Sequence, residues 1–167
     1  LASAVGAASA RLVLTSVLRG SGMGVAEIVA AVPGVTLANP MIEGQVMATA
    51  NNVAAGVVVR GIRQADLSRE SAVANGIREG SLQDFDSDDV VVVGHRLARK
   101  LGLRLGDQIT LISPQSTATP FGTVPRLARY EIAGIFDVGM FEYDSNFVYM
   151  PFQAAQTYFR LPDMASA

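Results

Sequence analysis

The chain has 167 residues, half of them hydrophobic, and a formal net charge of -2 at pH 7. That length fits one domain, or two small subdomains sharing a core, and the near-neutral charge argues against a protein that binds nucleic acid by neutralising phosphates. There is no Cys and one His, which excludes disulfides and thiolate metal sites.

In chain order, Leu1 to Ala10 is uncharged but short, and Arg11 and Arg19 interrupt the apolar runs. No stretch approaches the roughly 20 apolar residues of a membrane span, and no basic region precedes the first run as a signal peptide requires. With no initiator Met, the chain is expected to be a piece of something longer. Arg11 to Thr15 reads as a first strand. Val25, Ile28, Val29 and Val32 fall at helical spacing, stopped by Pro33-Gly34. Val35 to Ala38 restarts as a strand, with Pro40 as a kink or edge. Ile42, Gly44, Val46, Ala48 and Ala50 would share one strand face, Asn51-Asn52 is a turn signal, and Gly56 to Arg60 pairs back as a hairpin. Asp66 to Asn75 is weakly helical around Leu67 and Val73 and is broken by Gly76 and Gly80. Asp84 to Asp89 reads as an acidic turn. Val90 to Val93 is a short buried strand, and Leu97, Ala98 and Leu101 form the apolar face of a helix closed by Gly102. Pro151 suits the start of a last short helix containing Ala154, Ala155, Tyr158 and Phe159, ended by Pro162. Strands and helices mix without a βαβ repeat, so the expected class is α+β.

The stretch from Val90 to Met150 organises the rest. Gln108 to Ile112 and Arg129 to Phe136 alternate as strands do. Between them, Ser113 to Pro125 carries no charge, and Pro114, Pro120 and Pro125 are expected to deny it ladder donors. The segment therefore reads as a loop presented by a hairpin. Proline narrows its free ensemble, so less entropy would be lost on docking. Pro114, Gln115, Thr119, Pro120, Phe121, Gly122 and Pro125 form a candidate partner-binding tip, with Arg126 and Arg129 at its base. On composition alone, a mobile loop with no partner remains the alternative.

Candidate chemistry is sparse. Asp84, Asp86 and Asp88 match the first ligands of a calcium loop, but the positions that need Gly and Glu hold Asp89 and His95. A solvated turn fits better. His95 follows Gly94 at a helix start and reads as a surface residue. Glu142 and Asp144 could pair for acid-base work, but a turn between strands explains them as well. Neither GxSxG, HExxH nor a phosphate-binding Gly-Lys-Ser/Thr is present. No catalytic centre, cofactor or metal is expected.

The runs VVVGHRLARKLGLRLGDQITLISP, TPFGTVPR and YEIAGIFDVGMFEYDSNFVYMPFQAAQTYF, preceded by VPGVTLANPMIEGQVM and VVVRGI, resemble the periplasmic domain of lipoprotein-releasing permeases of the LolC/LolE type. The resemblance spans roughly Ala30 to Phe159. Its LA..LGL..GD element recurs in the wider MacB/FtsX-like permease group, whereas the combination with TPFGTVPR and GMFEYD is more specific. The resemblance implies a MacB-like α+β domain with mixed sheets, short helices and a protruding β-hairpin, the hook, at 113–125. It implies two subdomains, a Porter-like one at 1–60 plus 129–167 and a Sabre-like insert at 61–128. The domain would lie at the periplasmic face of the bacterial inner membrane, as the soluble part of a multi-pass permease. That permease would work with a cytoplasmic ATPase and a second permease subunit, releasing lipoprotein cargo to the chaperone LolA through the hook. PRLARYEI departs from the LolC pattern in detail, and the long proline-bearing tip favours LolC or a hybrid permease over LolE. The alternative within the group is a MacB-type efflux or FtsX-type division-regulating permease with a different partner.

Overall fold

In the computed structural model, the structure describes residues 10–15, 35–69 and 71–159. The helix expected over Val25 to Val32 and the stop at Pro162 lie outside them. The strands are β1 (Ala10–Thr15), β2 (Val35–Ala50), β3 (Val53–Ile62), β4 (Ile77–Gly80), β5 (Val90–Gly94), β6 (Gln108–Thr119), β7 (Gly122–Phe136) and β8 (Phe147–Pro151). The helices are α1 (Gln64–Arg69), α2 (Ser71–Asn75), α3 (His95–Leu101), α4 (Phe141–Asn146) and α5 (Phe152–Phe159). The class is α+β with a mixed sheet, as expected.

The ladder closes on itself. β2 pairs antiparallel with β3, β3 parallel with β8, and β8 antiparallel with β5. β5 then pairs parallel with β7, β7 antiparallel with β6, and β6 antiparallel with β2. Within the ring each strand pairs with a neighbour on both sides, so no free edge is left there. Alternation along each strand sends one set of side chains inward. Val46, Ala48, Val57, Val59, Val91, Val93, Ile109, Leu111, Ile132 and Val148 build the main core, capped by Leu97 and Leu101 of α3 and by Ala154, Ala155 and Tyr158 of α5. Val92, between two inward valines, faces the other way. It joins Ile62, Leu67, Val73, Phe85, Phe136 and Tyr149 in a second cluster under α1 and α2. Burial on both faces accounts for the unbroken run Val90 to Val93. Phe85 also explains the acidic turn. Its ring is buried while Asp84, Asp86 and Asp88 point to solvent.

Several expectations change. β2 runs through Pro40 without a break, because over residues 35–40 its one ladder partner among the described residues is β1. That is an edge position, where proline is tolerated. The stretch expected to be helical from Asp66 to Asn75 is helix on both sides of residue 70, which lies outside the described residues, and β4, pairing with β7, was not foreseen. Glu142 and Asp144 lie on α4, not in a turn. The Asn51-Asn52 turn is as expected. Both residues have positive φ, 49° and 62°, the geometry that suits a two-residue hairpin. The Asn51 amide donates to the Leu101 and Gly102 carbonyls at 2.9 and 3.0 Å and so caps the end of α3.

Strands of both expected subdomains take part in the ring. β2 and β8 lie wholly in 1–60 plus 129–167 and β5 and β6 wholly in 61–128, while β3 and β7 cross the expected boundaries at 60 and 128.

Candidate functional site

The segment expected as a loop is a two-stranded ribbon. The β6–β7 ladder runs from Gln108↔Glu131 to Thr119↔Gly122, closed by the two residues Pro120 and Phe121. The prolines permit this because each sits where the ladder is relaxed. Pro114 and Gln115 fall in the register shift between Ser113 and Ser116, Pro120 is in the turn, and Pro125 pairs with Ser116 at the edge of that shift. The Thr119 hydroxyl donates to the Gly122 carbonyl at 2.6 Å and braces the turn. At about 3.3 Å per residue, the part beyond Arg126 reaches roughly 15 Å from the ring.

Thr119, Pro120, Phe121, Gly122 and Pro125 are all exposed, and Phe121 is 101% exposed at the very tip. Pro114 and Gln115 are placed by their backbone alone. The two basal arginines do not act together. Three residues apart on β7, they lie on opposite faces of the strand. Arg126 is half-buried and its guanidinium donates to the Tyr158 carbonyl near the end of α5, so it ties the ribbon to the body. Arg129 is exposed and lines a cavity of about 730 Å³ with Thr49, Asn51, Asp107 and Thr110.

Sequence reading missed an apolar row on the outer face of the ring. Met47 pairs with Ile112, and Ile112 with Leu127. Met47 and Leu127 are 47% and 60% exposed. Alternation in Arg129 to Phe136, continued back through Leu127, was the available signal, masked by the prolines. Such a row resembles a binding surface more than a solvated edge.

Two tyrosines stand beneath the ribbon. Tyr130 and Tyr158 meet edge to face at 6.3 Å. Burial, with Asp89 and Asp88 adding to it, pushes the Tyr130 hydroxyl up to about 12. Burial and the neighbouring Tyr130 raise Tyr158 too, against the opposing pull of Arg126.

His95 is not the expected surface residue. Its side chain is 23% exposed, and its buried Nδ1 has no hydrogen-bond partner among the described residues. It faces Asp137 at 3.6 Å and the buried Asp144 at 3.9 Å. Gly94 makes this approach possible, because a Cβ there would overlap the Asp144 backbone. Desolvation acts to raise the Asp137 carboxyl, but the Gly139 N–H, His95, Arg78 and Asp144 together hold it below its ordinary value. Glu142, by contrast, is exposed, and residues two apart on a helix do not face each other. The suggested carboxylate pair with Asp144 is therefore not formed.

A closed mixed sheet that holds out a ribbon defines a class of α+β domain. It is similar to the extracellular domain of the noncanonic ABC-type transporter YknZ from Gram-positive bacteria. The TM-score is 0.55 at 16% identity, over 84% of this chain and 67% of that one. The chain belongs to the MacB-like periplasmic core domain family, whose model matches residues 6–167. It is 27% identical over 129 residues to the lipoprotein-releasing system transmembrane protein LolC of Neisseria meningitidis serogroup B, and 28% identical over 130 residues to LolC of Xylella fastidiosa. Each alignment covers 77% of this chain and 31% of the relative, so the chain spans about a third of the length of these curated relatives. Among the described residues, no helix is long and apolar enough to cross a membrane.

Proposed function

We propose that this chain is the periplasmic part of a lipoprotein-releasing permease subunit and that its ribbon docks a soluble lipoprotein chaperone of the LolA type. The observation that carries the reading is Phe121, an aromatic ring held fully in solvent at the end of a braced ribbon. An exposed ring gives up the burial that an aromatic contributes elsewhere, and its placement makes sense against an apolar recess in a partner. A carrier of acyl chains has such a recess, and an uncharged ribbon tip suits its mouth. The similarity to proteins named LolC supports this class of transporter. Pro120 and Phe121 then act as anchors, and Arg129 contributes a rim charge. In this reading the full permease works with a separate cytoplasmic ATPase and a second permease subunit on lipoprotein cargo. The chain itself performs no catalysis.

The two-part organisation is also a proposal. Its parts are residues 1–60 plus 129–167 and residues 61–128.

The test is binding of a purified periplasmic lipoprotein chaperone to the chain with and without residues Gln115 to Thr123. Loss of binding in a deletion variant that still melts cooperatively supports the reading. Unchanged affinity sinks it and favours the efflux or division-regulating alternative.

A further inference from the structure

We infer that His95, Asp137 and Asp144 form a binding site for a divalent transition-metal ion of the zinc class. The inference is independent of the ribbon and its partner. One ligand atom from each residue lies within 4.8 Å of the other two. The three come from separate elements: the start of α3, the segment after β7, and α4.

Three features favour a cation over a solvated ion pair. The first is the imidazole. At 3.6 and 3.9 Å, Nδ1 is beyond hydrogen-bond reach of either carboxylate, yet it is buried. A buried polar nitrogen left without a partner is costly. The second is Asp144, 1% exposed, with one oxygen accepting the Val138 N–H at 2.8 Å and the other turned to His95. A buried carboxylate beside a second carboxylate needs a counter-charge. The third is the support around the ligands. Arg78 holds the far oxygen of Asp137 at 2.8 Å, and the Gly139 N–H donates to the near one at 3.1 Å. Ligating carboxylates are commonly oriented by such outer hydrogen bonds.

An ion bonded at about 2.0–2.2 Å to each ligand would hold tetrahedral ligand atoms about 3.3 Å apart, so the ligand atoms, now at 3.6 and 3.9 Å from His95 Nδ1 and all within 4.8 Å of one another, must close in on the ion. One imidazole with two carboxylates suits zinc, cobalt or manganese, whereas calcium requires six or more oxygens. A cavity of about 460 Å³ lined by Arg78, Glu79, His95, Arg99 and Asp137 opens beside the cluster. The two arginines bring positive charge, but Arg78 is already engaged by Asp137. The contrasting reading is a protonated His95 bridging two aspartates with no metal.

The experiment titrates zinc chloride into the chain and into His95→Gln and Asp137→Asn. Both replaced side chains are at least partly exposed, so these variants are expected to fold. The readouts are the melting midpoint and the zinc bound per chain in competition with a chromophoric chelator. We expect one zinc per wild-type chain and a midpoint raised by about 5 °C or more at 100 times Kd. Affinity should fall more than about 10-fold in either variant, since loss of an outer-shell partner alone costs that much. Cobalt should give a visible absorption band in the wild type that His95→Gln lacks, and calcium should have no effect. A wild-type midpoint indifferent to zinc, or equal zinc binding by wild type and His95→Gln, overturns the proposal. In the former case, a lower midpoint for His95→Gln without metal would assign the cluster to a protonated ion pair.

Discussion

β6 and β7 pass through two environments along one continuous ladder. At their base, Ile109, Leu111, Tyr130 and Ile132 are buried in the ring. At their far end the same ladder carries Phe121 and Val124 into solvent. Both halves pair antiparallel, but a register shift between Ser113 and Ser116 separates them, and only the base is also bonded to β2 and β5. The further difference is burial. Backbone bonds fix which residues stand opposite each other, but their net contribution is small because water competes for the same groups. Apolar burial supplies most of the stability. The base should therefore govern folding and the tip should govern recognition.

The largest effect expected from breaking that contrast is in the base. Ile132→Ala should destabilise the domain by about 2–5 kcal/mol, read by denaturant melts, because it opens a cavity in a packed core. That is a large share of the roughly 5–15 kcal/mol stability of such a domain. If Ile132→Ala melts like the wild type, the ring is not the stabilising unit.

Phe121→Ala should leave the melting midpoint unmoved and weaken chaperone binding by about 2 kcal/mol, close to 30-fold. A lowered midpoint would mean that the tip folds back onto the body.

Arg126 and Arg129 sharpen the comparison, because they sit at the junction on opposite faces. Arg126→Ala breaks the bond to the Tyr158 carbonyl and should cost about 1–2 kcal/mol of stability, with binding changed less. Arg129→Ala should do the reverse. It should leave stability alone and weaken binding by under about 1 kcal/mol, an effect that shrinks in high salt.

The smallest effect is alkaline. Tyr130 and Tyr158 both release their protons at higher pH in the folded chain than in the unfolded one. Between pH 10 and about 12 the unfolded chain therefore binds fewer protons, so stability falls as pH rises through that window. Tyr158→Phe should reduce the slope. It should cost little at neutral pH, since the Tyr158 hydroxyl has no hydrogen-bond partner among the described residues. A steeper alkaline loss in Tyr158→Phe would contradict this assignment.

Much of the site was legible from local chemistry. Asn51-Asn52 specified a hairpin turn because asparagine tolerates positive φ. Leu97, Ala98 and Leu101 marked the buried face of α3 by spacing alone. Phe121 stood out because an aromatic beside Gly122, between prolines, has no core to enter. The ribbon was misread as a loop because proline was counted as a strand breaker. Whether a proline breaks a ladder depends on which backbone positions the opposite strand requires, and that is set by the register with β7.

The sequence by itself determined the short-range features: the turns, the α3 stop, the alternating strands and the uncharged tip. These depend on steric limits and periodicity within a few residues. Only the tertiary structure decided which residues meet across the chain. It closed the ring by pairing β6 with β2, split Arg126 from Arg129, lined up Met47, Ile112 and Leu127, and brought His95 to Asp137 and Asp144. Those encounters depend on strand order and register, which are selected by burial of the whole apolar pattern at once. No local spacing encodes them.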